Sequence, residues 1–287
     1  MKTETKLIRF DWAMKSLLRD KANFDILEGF LSAVLREDVS VIEILESESN
    51  VPDIDQKLNR LDILIQDKRQ QSVIIELQSC HKMTAYLERI LLGVSKVIVD
   101  NVKSVEDYSE VSKVISISIL YFDLGQGKDY VFYGKTESRG LHDTEPLVYQ
   151  RRRKDKTLEK LQSQDIFPEY YLINVERFAD VMKTDLDEWI YLFKHAALPP
   201  DCQAKNLSLA GEKLDVLKMK PEERHRYDLY LMALVNDQDA IDTAHNKGWQ
   251  GGELKAKLEI AKKMLGSGMD METIVALTGL NPNEITE

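Results

Sequence analysis

The stretch from Arg60 to Gln78, RLDILIQDKRQQSVIIELQ, constrains the fold more than any other part of the 287-residue chain. Two arms with apolar residues at alternate positions flank a polar DKRQQ, which is the pattern of a β-hairpin, because successive side chains of a strand point to opposite faces. A turn centred on Arg69 opposes Asp62 to Glu76, Leu64 to Ile74 and Arg60 to Gln78. It sends Leu61, Ile63, Ile65, Val73, Ile75 and Leu77 to the other face. That other face is wholly apolar and belongs against a core. It fixes the register, since a slip of one residue would drive Glu76 and Gln78 into that core. Two directly opposed carboxylates, with Cβ atoms roughly 5 Å apart, repel one another unless a positive charge lies between them.

A divalent cation meets that requirement. Mg²⁺ typically takes one or two protein carboxylates together with phosphate oxygens and retained water. Such an ion lowers the pKa of a bound water and stabilises charge on a phosphodiester during displacement. Gln78, on the same face as Glu76, can position a water or touch a phosphate by hydrogen bonding, but it brings no positive charge. The plainer alternative is that a half-buried hairpin puts its charged residues on the solvent face, where Arg60 pairs with one of the acids.

Apolar residues at helical spacing predict helices over 7–20 and 23–36, followed by a strand at 39–47, the hairpin, and a long helix over 82–107. Strands at 113–122 and 130–136 are joined by the turn-rich DLGQGKD, and a further strand covers 169–178 after the basic segment YQRRRKDK. The long helix is a natural crossover that makes the next strand parallel to an earlier one. The class is α/β.

Beyond Asp185 the pattern is mostly helical: LDEWIYLFKHA, PEERHRYDLYLMALV and, after a glycine-rich break at HNKGWQGG, ELKAKLEIAKKMLGSG. These patterns predict a domain at 1–180 and a helical region at 181–287. MDMETIVALTGLNPNEITE has the cadence of a helix-turn-helix, with a new cap at Asn281 followed by Pro282 and Glu284. A recognition helix needs more residues than follow Asn281, so 253–287 is read as an interaction or dimerisation hairpin, with a homo-oligomer left open.

The net charge of −10 opposes binding to phosphate over the whole surface. A local cluster such as Arg151, Arg152, Arg153 and Lys154 still acts within a Debye length, and a bound metal reverses the sign of an acidic site. Hydrophobic residues at 43% and charged residues at 31% are an ordinary globular mixture. The longest apolar runs, ILLGVSKVIV and VISISILYF, are too short to span a bilayer, and the N-terminus lacks the apolar core of a signal peptide. Cys80 and Cys202 show neither metal spacing nor a disulfide framework. A cytoplasmic protein with no membrane partner is expected. The five histidines are scattered without a zinc pattern, and no P-loop, dinucleotide fingerprint or nucleophile motif is present.

A helix pair, three strands with Asp on the second and Glu-x-Gln on the third, a long helix and a fourth strand resemble the PD-(D/E)XK nuclease core. More specifically, FDWAMKSLL, LEGFLSAVL, RLDILIQD, VIIELQ, VISISILYF and the tail ELKAKLEIAKKMLGSGMDMETIVALTGLNPNEI resemble the recombination-promoting nuclease (Rpn)/transposase branch of that superfamily. The resemblance implies a restriction-endonuclease-like αβββαβ core with a mixed sheet between helices. It also implies a Mg²⁺- or Mn²⁺-dependent DNA endonuclease linked to transposition or recombination. Asp62 and Glu76 take the places of the metal-binding acids, Gln78 that of the usual Lys, and Asp11 on the first helix is a further catalytic candidate. Arg89 on the long helix matches a family arginine placed to contact DNA phosphate, its alternative being a solvated helix charge. No proline precedes Asp62, and the missing Lys keeps a second expectation alive: a catalytically weak nuclease-fold protein that serves as a DNA-binding or assembly module. The acidity keeps a third, a binding module unrelated to nucleic acid.

Overall fold

A side chain holds the hairpin turn. In the computed structural model, which describes residues 7–9, 12–13, 20–45, 63–78, 85–101, 111–152 and 157–286, the Asp67 carboxylate accepts hydrogen bonds from the backbone N–H groups of Arg69 (2.9 Å) and Gln71 (2.8 Å). Asp suits this place because its short acceptor bonds backbone donors a few residues ahead. Gln70 takes a left-handed φ of 61° to complete the reversal. Strands β2 (Ile63–Asp67) and β3 (Ser72–Gln78) run antiparallel from this turn, with Ile63 opposite Ile75 and Leu64 opposite Ile74. That is the register the alternating pattern predicts.

Helix α1 (Phe24–Leu35) and strand β1 (Val41–Ile44) precede the hairpin, and helix α2 (Tyr86–Asn101) follows it. The chain then returns in β4 (Val114–Leu120), parallel to β3, as a helical crossover requires. After β5 (Val131–Lys135) comes a separate two-stranded hairpin of β6 (Tyr149–Arg152) and β7 (Leu158–Leu161). β8 (Glu169–Asn174) is inserted between β4 and β5, parallel to the former and antiparallel to the latter. The described central sheet has the order β1-β2-β3-β4-β8-β5. A mixed sheet flanked by helices is the architecture expected.

β4 is buried at every position, so its sequence reads as a nearly continuous apolar run broken only by Ser116 and Ser118. Helix α2 lies on one face of the sheet: Tyr86, Ile90, Val94 and Val97 pack with Ile74, Val114 and Leu120. Ile63, Ile65, Val73, Ile75, Leu77, Ile117 and Ile119 alternate with those strand residues and are also buried, so the sheet has a core on each side. Helix α1 packs on α3 (Asp185–His195), α4 (Leu207–Lys213) and β1. The Phe30 ring stands 5.0 Å from Phe193 and 6.1 Å from Trp189.

The chain divides into two compact units, Met1–Met219 and Lys220–Glu287. Residues 181–219, read from the sequence as the start of the helical region, lie within the first. In the second, α5 (Pro221–Gly266) runs for 46 residues, followed by α6 (Met271–Thr278) and α7 (Pro282–Thr286). Ala261, Ile274, Leu280 and Ile285 form the core of this unit. The break expected at HNKGWQGG is absent, because glycine permits a turn without imposing one: Gly248, Gly251 and Gly252 keep helical backbone in open space. Where a turn does form, Gly279 takes φ 71°, and the Glu284 carboxylate accepts from the Asn281 N–H at 2.8 Å. Among the described residues, no helix is long and apolar enough to cross a membrane.

Candidate active site

Glu76 is a charged side chain and yet is only 6% exposed, on the sheet face covered by α2. The alternative of a solvated hairpin acid therefore does not hold for Glu76. Its place follows from strand alternation: Glu76 shares a face with Ile74, which packs under α2, while Ile75 and Leu77 face the other core. Taking an ionised carboxylate out of water costs several kcal/mol unless charge and hydrogen bonds compensate, by roughly the effective penalty known for buried ions. Arg89 supplies a positive charge. It sits three residues after Tyr86 on the sheet-facing side of α2, and its Nη2 lies 3.8 Å from Glu76 Oε1. With its side chain 18% exposed, Arg89 is not the solvated helix charge that the sequence left open.

The neighbouring strand adds a hydroxyl. Ser118 is the parallel-register partner of Glu76 and shares its face with Val114 and Leu120. Ser118 is fully buried, and its Oγ has no hydrogen-bond partner among the described residues. A buried polar atom without a partner calls for an explanation, and one is an ion or water that the hydroxyl would contact. A carboxylate beside such a hydroxyl is a hard-oxygen donor set of the kind that suits Mg²⁺ or Mn²⁺, so the residues present fit a divalent metal. Among the described residues no group of three or more His, Cys, Asp or Glu converges.

Gln78 closes β3 on the same face as Glu76, half-buried, with its Cα paired to Leu120 and its carbonyl accepting from the Tyr121 N–H at 3.1 Å. One strand further on, Leu120 is paired to Asn174 at the end of β8. The Asn174 amide donates to Asp123 and its oxygen accepts from the Arg177 N–H at 3.2 Å. The Arg177 guanidinium is in turn bound to Asp123 and to the carbonyls of Gly125 and Gly127. This clasp shapes one wall of a cavity of about 190 Å³ lined by Leu87, Leu120, Leu124, Phe132 and Leu172. The C-terminal ends of parallel strands are where α/β sheets bind ligands.

The remaining candidates fall into two groups. Asp62, Asp11, Arg153 and Lys154 lie outside the described residues. Arg151 and Arg152 belong to β6, away from the central sheet in pairing. Arg151 is engaged by Glu159 across the hairpin at 2.8 Å, whereas Arg152 is exposed. Ser118, Asn174, Asp123 and Arg177 were not singled out from the sequence. For Ser118 a signal existed in VISISIL, where two serines at alternate positions interrupt a strand otherwise fit for a core.

Residues 8–244 match the family model described as PD-(D/E)XK nuclease family transposase. The chain belongs to this family. Residues 254–287 separately match the model for the C-terminal HTH domain of the Rpn/YhgA-like nuclease family, covering the stretch read from the sequence as a terminal helical hairpin. No match was found among curated proteins or among solved structures. For a PD-(D/E)XK family member the function is of nuclease type, and nucleases of this kind generally use divalent metals. The Rpn resemblance is thus supported by two segments of the chain, and the nuclease-like core by the first of them.

Proposed function

We propose that the protein is a metal-dependent DNA endonuclease working in transposition or recombination. The buried Glu76 carboxylate, with Arg89 nearby and at the paired position of β4 a buried Ser118 hydroxyl without a hydrogen-bond partner among the described residues, is the observation that carries this reading. The alternating sequence pattern pairs Asp62 with Glu76, and these two residues would hold Mg²⁺ or Mn²⁺. The ion, when bound, lowers the pKa of a water and offsets the charge that builds on the phosphate oxygens.

The chain's own groups divide the rest of the work. Attack by water on phosphorus forms one P–O bond and breaks another, and the departing sugar oxygen takes up a proton. Gln78 is placed to hold the attacking water: its amide accepts and donates hydrogen bonds but takes no proton at neutral pH. Arg89 is the guanidinium within reach of a phosphate at Glu76, and guanidinium suits phosphate through paired N–H donors. Arg152, with Arg153 and Lys154 beyond it, supplies charge for the DNA backbone, while Arg151 must first leave Glu159. Asp11 is retained, on the family resemblance alone, as a further catalytic residue.

Plasmid cleavage in Mg²⁺ that stops in EDTA and is lost in Asp62→Ala is the expected result. Equal cleavage by Asp62→Ala would trace the activity to a contaminant. Gln78 at the place of the usual Lys favours a second reading, a DNA-binding or assembly module. DNA binding without any metal-dependent cleavage would select it.

A further inference from the structure

We propose that the cavity of about 190 Å³ formed by α2, β8, β5 and the loop after β4 takes a nucleobase of the DNA strand held at Glu76, unstacked from its neighbours and laid against Phe132. The inference rests on the nuclease reading given above. Strand register puts the two places on one line. Ser118 pairs with Glu76 on one side and with Leu172 on the other, and Leu172 pairs with Phe132, so a row of same-face residues crosses β3, β4, β8 and β5. At roughly 4.8 Å per strand, Phe132 stands about 14 Å from Glu76 along this row. Each strand of a duplex advances about 3.4 Å per nucleotide and an unstacked strand advances more, so a base in the cavity lies only a few nucleotides from a phosphate at Glu76.

The cavity has the chemistry of a stacking site. Leu87, Leu120, Leu124 and Leu172 give it apolar walls, and the Phe132 ring is 40% exposed. An aromatic ring in an apolar slot suits the face of any base. Gln126 lines the same cavity, and its amide both donates and accepts, which suits a base edge. The loop comes close to the ring because of a glycine: a Cβ at Gly127 would lie 2.5 Å from Phe132 Cζ, and the Arg177 guanidinium holds the Gly125 and Gly127 carbonyls. The volume admits one planar ring system and not a base pair, so the occupant is an unpaired base. Stacking also answers the net charge of −10. Phosphate contacts must overcome that repulsion, whereas an uncharged base is not opposed by it.

Binding of a fluorescein-labelled oligothymidylate to the full-length protein, read by fluorescence anisotropy, tests the site against an abasic strand of equal length and charge. Ca²⁺, a hard cation of looser geometry than Mg²⁺, is present throughout, and the strands are checked for intactness afterwards. The wild type should bind the strand with bases at least about fivefold more tightly than the abasic one, which is about 1 kcal/mol and the low end for one stacked base. Phe132→Ala should lose that preference by weakening binding to the base-bearing strand alone. Phe132→Leu, which keeps apolar bulk without the ring, should lose most of it. Equal binding of the two strands by the wild type, or a preference unchanged in Phe132→Ala, would overturn the nucleobase site. If the wild type still cleaves plasmid in Mg²⁺, the nuclease reading survives that result; binding of neither strand together with no cleavage would overturn both. Should the Phe132 variants fail to fold, the wild type irradiated with a strand carrying iodouracil in place of thymine gives the answer. The strand should crosslink to Phe132, and crosslinks confined to other residues would refute the site.

Discussion

A buried carboxylate is stable only through its neighbours, and the protein shows two solutions. At Glu76 compensation includes a charge 3.8 Å away. At Asp187 hydrogen bonds do the work: the Tyr130 hydroxyl, the N–H groups of Lys183 (2.8 Å) and Thr184 (2.7 Å), and the Thr184 hydroxyl all donate to it. Burial pushes the Asp187 carboxyl up, but these bonds, that from Tyr130 foremost, together hold it below its ordinary value. A carboxyl with a depressed pKa in the folded state stabilises the fold above its unfolded pKa and loses that contribution as pH falls through the folded one. Tyr130→Phe should therefore cost about 1.5–3 kcal/mol at pH 7, the range for a hydrogen bond to a charged group, and less once acid protonates Asp187. Denaturant unfolding at pH 7 and pH 3 measures this, and an equal loss at both would contradict it. From sequence, Glu76 was identifiable because a charge in an apolar pattern stands out, whereas Arg89 was marked only by the family resemblance. Asp187, inside an acidic LDEW, looks like any helix-capping residue, and only its tertiary contacts distinguish it.

Among elements, those governed by local rules were legible. The β2/β3 register follows from alternation and from the capping chemistry of Asp67, and the parallel β3/β4 pairing follows from the crossover helix. Elements governed by distant contacts were not. β8 enters between β4 and β5 although β5 comes first in the chain, and nothing local to EYYLIN specifies its neighbours. Helix α3 reads as part of a helical tail, yet Trp189 and Phe193 pack on Phe30 of α1. That packing is close enough to need a glycine: a Cβ at Gly29 would come within 2.8 Å of the Trp189 ring and 2.9 Å of Asn206 Cβ, and closer still to the Lys205 carbonyl. Gly29→Ala should cost about 1–3 kcal/mol through overpacking, despite the better helix propensity of Ala. A thermal midpoint unchanged or raised by this substitution would show that α1 stands further from its neighbours than described.

For the molecule as a whole, charge and function pull in opposite directions. A surface with net charge −10 repels DNA at long range, so under the proposed function affinity would come from local positive charge and from a metal at Glu76, a buried carboxylate of β3. The nuclease-family match over residues 8–244 covers nearly all of the first unit and the start of the second, and the HTH match over 254–287 lies in the second. The central claim is that Glu76 serves a metal-dependent phosphodiesterase. It is tested most directly by the rate at which purified protein converts supercoiled plasmid to nicked or linear product in Mg²⁺, for wild type and Glu76→Gln side by side. The rate should vanish in EDTA and fall at least about a hundredfold in Glu76→Gln, in line with loss of a group that stabilises transition-state charge. Conversion that persists in EDTA, or that Glu76→Gln supports at the wild-type rate, would contradict it.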